Sequence, residues 1–320
     1  MGVLCKLFGV TKQAYYKYDE DSVLLKSSQE AFVLQYIRGI RAKDRGIGGM
    51  KLWYMYRKEF GSNNPVGRDR FEDIVDRYGL KVRTRTRKPK TTDSTHGLPF
   101  YPNIISDFIP SAPNQLWVSD ITYITIWLDK DTYVFCYLSL ILDSYTEEIV
   151  GWSIGSTLET VHLTEALRKA LKRIEGQTDI SLIHHSDRGC QYASNEYVSL
   201  LKRYRIRISM TESGNPKENA QAERINNTMK NEFFKGVVFH TVEEVKAAVT
   251  VAVDFYNNER PHMSINMLTP SEASGCTGEI AKKWKSYRHI AIKNRLESLD
   301  TDRNDLSLPN CQGKSYGLNS

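Results

Sequence analysis

Three acidic side chains are the residues of this sequence best placed to do chemistry. Asp120 lies in WVSDITYI, Asp187 in HHSDRGCQY and Glu223 in KENAQAERINNTMK, with 35 residues between the last two. The first is in the middle of an alternating, β-branched segment, the second ends an apolar segment, and the third lies on a following helix. Carboxylate oxygens are the ligands that Mg²⁺ and Mn²⁺ prefer. The pattern favours a site that holds two such ions against a phosphodiester.

Each acid taken alone also has an ordinary interpretation. A half-buried Asp120 is costly unless it is paired, so it could belong to a hydrogen-bond network. Asp187 ends a strand, where open α/β sheets place ligands, but an Asp there could also cap a turn. The helix carries a polar stripe, which is usually a solvated face; its members are Asn219, Glu223, Asn226 and Lys230. The combination of two strand acids and one helix acid favours the metal site.

The helix that carries Glu223 has a clear start signal. Asn215 can cap it, Pro216 takes its first position, and Glu218 completes a pattern like a capping box. These residues predict a long helix from Pro216 to about Lys235.

The residues from 114 onward predict an α/β domain. QLWVSDITYITIW, TYVFCYLSLILD and EEIVGWSIG predict three strands joined by short connections, and DISLIHHSD and RIRISM predict two more. Helices are predicted at 158–175, 195–204 and 242–257. Three consecutive strands followed by alternating helices and strands indicate a mixed five-stranded sheet flanked by helices.

The first 90 residues are predicted to be helical. GVLCKLFGVTKQAYYKY resembles a helix-turn-helix whose second helix would present Lys12, Gln13 and Lys17 to DNA, although an ordinary helical hairpin is the alternative. Further helices are predicted at 28–43, in RGIGGMKLWYMYRKEF and in GRDRFEDIVDRYGL.

A basic segment follows these helices. KVRTRTRKPK holds six basic residues and no acid, and it predicts an extended arm that contacts DNA. A flexible charged linker is the alternative and is compatible with the same role. The predicted contacts are Arg83, Arg85, Arg87 and Lys88.

The charge is unevenly distributed. Residues 1–113 carry 20 Lys and Arg against 12 Asp and Glu, whereas the rest carries 24 against 26. All excess positive charge therefore lies in the first third, which favours a polyanionic partner held there. A solvated basic surface is the alternative.

Other classes of protein fit the composition poorly. The five cysteines lie far apart without a CxxC pair, which argues against a disulfide framework and a zinc site and suits a reducing cytoplasm. The longest apolar run, at 133–142, is too short to span a membrane. No charged and apolar leader opens the sequence, so we expect neither secretion nor a membrane partner.

These motifs together resemble those of insertion-sequence transposases in the retroviral-integrase superfamily, specifically the OrfB-type product of the IS-three group. The resemblance extends from the amino-terminal helices to about Ala273 and rests on WVSDITYI, HSDRGCQY, the 35-residue gap, the NxxxNAxAE segment ending at Glu223, and FYNNERPHMSINMLTPSEA. It implies an RNase H-like core in which Asp120, Asp187 and Glu223 bind two Mg²⁺ or Mn²⁺ ions. It also implies cleavage at element ends and strand transfer into target DNA.

The resulting domain organisation has four parts. We expect a helical DNA-binding region at 1–90, a linker at 91–113, the catalytic core at 114–275, and a basic helix with a disordered tail at 276–320. Lys217, Lys230 and Arg260 are further candidates for DNA contacts. The residues expected to support the site are His185, Asn219, Asn257 and His262.

The resemblance also implies partners. Element ends and target DNA are the expected ligands, an upstream-frame transposase protein is a possible partner, and a homo-oligomer on DNA is expected in the bacterial cytoplasm. Two other functions stay open at this point: a catalytically silent protein that binds transposon ends, and a nuclease with the same RNase H-like fold. An intact set of three acids favours the transposase.

Overall fold

The computed structural model describes residues 2–9, 11, 13, 20–82, 99–177, 180–212 and 218–305. The helices are α1 (Gly2–Leu7), α2 (Glu20–Lys43), α3 (Gly49–Phe60), α4 (Arg68–Arg77), α5 (Thr160–Leu171), α6 (Asn195–Arg203), α7 (Ala220–Thr228), α8 (Val242–Asn258), α9 (Pro270–Ala273) and α10 (Tyr287–Asp305). The strands are β1 (Leu116–Trp127), β2 (Tyr133–Asp143), β3 (Ile149–Gly155), β4 (Ile183–Ser186) and β5 (Arg207–Met210).

A mixed five-stranded sheet with the order β3-β2-β1-β4-β5 organises the core, which confirms the predicted fold class. β1, β2 and β3 are antiparallel neighbours, whereas β4 and β5 run parallel to β1. β1 pairs with β2 along almost all of its length, but with β4 only from Leu116 to Val118. The second half of β1 therefore extends past the carboxyl end of β4, which leaves room for another element beside it.

Helices cover both faces of the sheet. On one face, α5 and α6 bury Leu167 and Tyr197 against Trp117 of β1. On the other face, α7 and α8 contribute Ile225 and Phe255 to a larger apolar core. Alternating side chains of β1 enter these two cores, as expected for a strand buried on both faces.

The helices α2, α3 and α4 share that larger core with the sheet. Ile37 and Leu52 are fully buried in it. At the end of α2, Lys43 pairs with Glu259 at 2.8 Å. A Cβ added at Gly46 would lie 2.3 Å from the Cα of Glu232, so only glycine permits this backbone approach. The helical region at 20–82 therefore packs directly on the α/β core.

The residues just before β1 also pack on the core. Ile105 is buried among the apolar side chains, and the backbone N–H of Ile104 donates to Ser209 Oγ of β5 at 3.1 Å. The described part of the predicted linker, from residue 99 onward, thus follows the surface of the sheet domain.

Two predicted helix starts were wrong. α2 begins at Glu20 instead of Ser28. α7 begins at Ala220 instead of Pro216, and Asn219 occupies the N-cap position with φ −124° and ψ 34°. Glu218 lies in the turn before α7, where its carboxylate accepts a hydrogen bond from the backbone N–H of Glu212.

Other predicted features lie partly outside the described residues. The described chain resumes at 218 in a turn, and α7 continues into a π-helical turn at Met229–Phe233. Asn215 and Pro216 themselves lie outside the described residues. Among the residues that are described, no helix combines the length and apolar content that crossing a bilayer requires.

Candidate active site

Asp120, on β1, lies level with Asp187, which directly follows the neighbouring parallel strand β4. The last paired positions are Val118 and His185, and each aspartate lies two residues further along its chain. β4 ends at Ser186, so Asp187 is at the carboxyl end of that strand while β1 continues past it. The strand register therefore brings two carboxylates to the same edge of the sheet.

Helix α7 places Glu223 beside these two acids. The amide of Asn219 donates to the backbone carbonyl of Ser119 at 2.9 Å, and the amide of Asn226 donates to Oδ2 of Asp120 at 2.8 Å. Glu223 lies between these asparagines on the same helix face. That face therefore packs along β1. The two asparagines of the polar stripe contact the strand, so they do not form a solvated helix face.

The next member of the stripe follows the same strand. Lys230 Nζ lies 3.9 Å from the ring centroid of Tyr123, close enough for a cation–π contact. α7 and the turn after it thus run beside β1 from Ser119 to Tyr123. The side chain of Glu223 itself is exposed, while Asp120 and Asp187 are half-buried.

The electrostatics of the site reflect crowded negative charge. Burial, followed by the charge of Asp187 and then that of Glu223, raises the pKa of Asp120 to about 7, although hydrogen bonds from Ile121 N–H and Asn226 oppose the shift. Like charges at close range disfavour the ionised form of each other. Asp187 and Glu223 therefore both act electrostatically on Asp120.

A tight turn holds Asp187. Its Oδ1 accepts a hydrogen bond from the backbone N–H of Gly189 at 2.9 Å, and a Cβ at Gly189 would lie 3.0 Å from that oxygen. The neighbouring Arg188 donates from Nε to the carbonyl of Thr211 at 2.5 Å and lies 4.9 Å from the ring centroid of Phe100. These contacts fix the turn against β5 and the segment before β1.

The three carboxylates suit a hard divalent cation chemically. They supply only oxygen donors, and a cation would offset the repulsion that disfavours ionisation of Asp120. Within the described ranges, however, no three His, Cys, Asp or Glu side chains converge closely enough to hold an ion as they stand. The donor set by its chemistry fits Mg²⁺ or Mn²⁺.

The two histidines before Asp187 are buried packing groups. His184 Nε2 is 2.9 Å from the hydroxyl of Tyr197, and burial, followed by the nearby His185, lowers the pKa of His184 to about 3. His185 Nδ1 is 2.9 Å from Ser209 Oγ on β5. His185 therefore links β4 to β5 beneath the turn of Asp187.

The predicted residues of YNNERPH are buried. Asn257 forms two hydrogen bonds of 3.0 Å with the backbone of Ile149, one accepted and one donated, and so ties α8 to β3. The ring of His262 packs against that of Tyr256 with centroids 4.5 Å apart. Both support the fold behind the acids.

Arg260 requires a correction. We predicted a DNA contact, but its side chain is 5% exposed and its guanidinium binds the carboxylate of Glu232 at 2.7–3.0 Å. Asp44 lies 3.6 Å from its Nε, and Lys51 lies 3.7 Å from Glu232. Arg260 is thus the centre of a buried ion cluster that joins the helical region to the core.

Most of the other predicted DNA contacts are not part of the described structure. Gln13 is exposed. Lys12, Lys17, Arg83, Arg85, Arg87, Lys88 and Lys217 lie outside the described residues. These residues stay predictions. Sequence reasoning did not single out Asn226 as a site residue, although its spacing of three from Glu223 was a signal that it faces the same strand.

Comparisons with known proteins identify the family of the chain. Two family models described as "Integrase core domain" match residues 110–216 and 204–270. The chain is 32% identical over 276 residues to "Insertion element IS600 uncharacterized 31 kDa protein" of Shigella sonnei, covering 84% of this chain and 96% of that one. It is 29% identical over 269 residues to "Putative transposase for insertion sequence element IS986/IS6110" of Mycobacterium tuberculosis H37Rv, covering 82% and 94%.

Two further similarities are more limited. The chain is 32% identical over 201 residues to "Transposase InsF for insertion sequence IS3A" of Escherichia coli K12, covering 61% of this chain and 66% of that one. A solved structure described as the HTLV-2 integrase catalytic core domain in complex with magnesium matches with a TM-score of 0.40 and 17% identity, covering 52% and 99%. The coverage and identity of the bacterial relatives show that the chain belongs to the IS3 family of insertion-sequence transposases, within the integrase superfamily.

Proposed function

We propose that this transposase cleaves DNA at the ends of an insertion sequence and joins the freed strands to target DNA, with Asp120, Asp187 and Glu223 as its catalytic acids. The observation that carries the proposal is their placement. Strand register sets Asp120 level with Asp187, and the bond from Asn226 to Asp120 holds the helix of Glu223 beside them. A phosphodiester at this edge of the sheet would meet all three.

The three carboxylates would hold two Mg²⁺ or Mn²⁺ ions, which when bound would activate the attacking oxygen and stabilise the leaving one. The surrounding residues position the acids. Asn226 orients the carboxylate of Asp120, and the backbone N–H of Gly189 orients that of Asp187. The bond from Asn219 to Ser119 fixes the start of α7 one turn before Glu223.

The proposed substrate contacts lie around this centre. Lys230 follows Glu223 on the same face and would meet the phosphates that flank the reacting one. The basic first third of the chain would hold element-end DNA by its charge. A multimer on DNA, together with an upstream-frame protein, would bring two ends to one target.

Cleavage of end-containing DNA tests the proposal. The purified protein, alone and with the upstream-frame protein, is incubated with labelled duplex in Mg²⁺ or Mn²⁺. Asp120→Asn, Asp187→Asn and Glu223→Gln are expected to lower strand cleavage and joining by at least about a thousandfold. Glu243→Gln changes an exposed acid at the start of α8 and serves as the matched control.

A DNA-binding measurement on the same variants separates catalysis from binding. We expect gel-shift affinity to persist when cleavage is lost. Cleavage that continues at the parent rate in all three variants would refute the proposed acids. Tight binding of ends by the parent protein without cleavage under any condition would favour the catalytically silent alternative.

A further inference from the structure

A cavity of about 380 Å³ lies on the flank of α7, the helix that carries Glu223. Arg224 and Thr228, four residues apart on the helix, form one wall, and Arg224 directly follows Glu223. The volume is within the range of small-molecule sites, about 300–1,000 Å³. The cavity therefore borders the helix of Glu223, on a face turned about 100° from the one that presents Glu223.

The wall of the cavity is rich in positive charge. Lys51, Arg224 and Arg260 line it, against one acid, Glu147. Arg260 is committed to Glu232, and Lys51 lies near the same carboxylate. Within the described residues, Arg224 forms no ion pair with a carboxylate, so its charge is available to an anion.

An aromatic side chain stands at the opening. Trp284 lines the cavity and is 41% exposed. Arg224 lies 5.8 Å and Lys282 5.4 Å from its ring centroid, which orients the indole and places two cations at the mouth. Tyr256, which is buried, forms part of the inner wall.

An aromatic ring beside cations is the combination that binds single nucleotides. Any of the four bases can stack on the ring, while the cations neutralise the phosphate of the nucleotide. A paired base inside a duplex cannot reach a cavity of this kind, so the nucleotide has to leave the stack.

We infer that this cavity takes one unpaired nucleotide of the DNA strand being processed, with the base against Trp284 and the phosphate at Arg224. The inference rests on the proposed function, because that function brings a DNA strand to Glu223. The cavity would hold the strand in register with the acids. Trp284 and Arg224 are binding residues in this scheme and take no part in the chemistry.

Crosslinking to DNA tests the inference. The full chain with Asp120→Asn, which halts turnover, is bound to end-containing DNA that carries 5-iododeoxyuridine at successive positions. One position near the cleavage site is expected to crosslink to a peptide containing Trp284. Thymine at that position is expected to become reactive to permanganate, which reports an unstacked base.

Variants identify the cavity as the source of both signals. Trp284→Ala is expected to abolish the crosslink and to lower the permanganate signal about tenfold, and Arg224→Gln to lower both about tenfold. Tyr287→Ala is the matched control, because Tyr287 is an aromatic three residues further on, 79% exposed and outside the cavity lining. It is expected to leave both signals unchanged.

Two results would overturn the inference: bound DNA that crosslinks at no position to Trp284, or permanganate reactivity that Trp284→Ala and Arg224→Gln leave unchanged. Cleavage by the parent protein is measured separately. Cleavage without the crosslink would refute only the nucleotide site, whereas the crosslink without cleavage would refute only the proposed function.

Discussion

Asn226 donates a hydrogen bond of 2.8 Å to Oδ2 of Asp120 and so connects the helix of Glu223 to the strand of Asp120. Asn226 is 6% exposed and lies three residues after Glu223. A hydrogen bond to an ionised carboxylate is stronger than one between neutral groups. This contact therefore helps to set the spacing between two of the three acids.

Replacing Asn226 by alanine should weaken catalysis without preventing DNA binding. A hydrogen bond to a charged group contributes about 1.5–3 kcal/mol, which corresponds to a cleavage rate about 10- to 150-fold lower. The measurement is the single-turnover cleavage rate of end-containing DNA across a range of Mg²⁺ concentrations. Asn227→Ala, which changes the exposed neighbour, is the control. An unchanged rate at every Mg²⁺ concentration in Asn226→Ala would exclude a positioning role.

The sheet could be predicted from sequence because its signals are local. Alternating apolar and polar residues in β1, and the nearly continuous apolar run of β2, each specify a strand without reference to the rest of the chain. The helix spacing between Glu223 and Asn226 likewise placed both on one face. That face packs against β1 because the second half of the strand has no strand partner on its β4 side, which only the register with β4 reveals.

The predictions for Arg260 and Glu218 were wrong because the contacts of both side chains are with residues distant in sequence or outside the local pattern. Arg260 looked like a surface cation because nothing in ERPH shows that Glu232, 28 residues earlier, and Asp44 enclose it. Glu218 looked like a cap residue because the sequence does not show that its carboxylate is used by the backbone of Glu212. In both cases a tertiary contact overrides a sound local pattern.

The close approach between Gly46 and Glu232 predicts that Gly46→Ala destabilises the protein. The new methyl group would overlap backbone, which cannot move aside as a flexible side chain can. We expect the free energy of unfolding in urea to fall by about 1–3 kcal/mol. Limited proteolysis should then cut the loop between α2 and α3 more readily.

Gly39→Ala is the matched control for that experiment. Gly39 lies inside α2, and a Cβ there would meet nothing within 4 Å. Alanine is the better helix former, so this variant should gain about 0.5–1 kcal/mol. Equal effects of the two substitutions would show that the contact at Gly46 does not matter.

The buried ion cluster predicts that Arg260→Gln costs stability. The substitution removes the cation that pairs with Glu232 and lies near Asp44, and breaking a buried pair typically costs about 3–5 kcal/mol. Arg260→Lys should recover only part of this loss, since an ammonium cannot reproduce the bidentate contact. Urea unfolding measures both.

Arg45→Gln is the control. Arg45 is exposed in the loop between α2 and α3, next to Asp44, and its replacement should leave stability nearly unchanged. If Arg260 acted mainly on DNA, Arg260→Gln would instead keep full stability and reduce the salt dependence of DNA binding. That result would restore the original prediction of a DNA contact.

The buried His184 predicts that the protein loses stability on mild acidification. Burial, followed by the neighbouring His185, lowers its pKa to about 3, below its ordinary value of 6.5. The unfolded chain therefore binds a proton as pH falls below about 6.5 while the folded one does not, so this stability is present above pH 6.5 and is lost as pH falls toward 3. From pH 7.5 to 5.0 the loss from this one group is about 2 kcal/mol.

Replacement by a side chain that does not titrate isolates the contribution of His184. His184→Gln keeps a polar group within reach of Tyr197, and its free energy of unfolding should fall about 2 kcal/mol less than that of the parent over the same pH interval. Other buried groups, His262 among them, change equally in both proteins, because burial lowers the pKa of His262 in each. Urea unfolding at pH 7.5, 6.5, 5.5 and 5.0 measures the difference. Parallel pH profiles for the two proteins would mean that His184 binds a proton equally readily in the folded and unfolded states, and would contradict the lowered pKa.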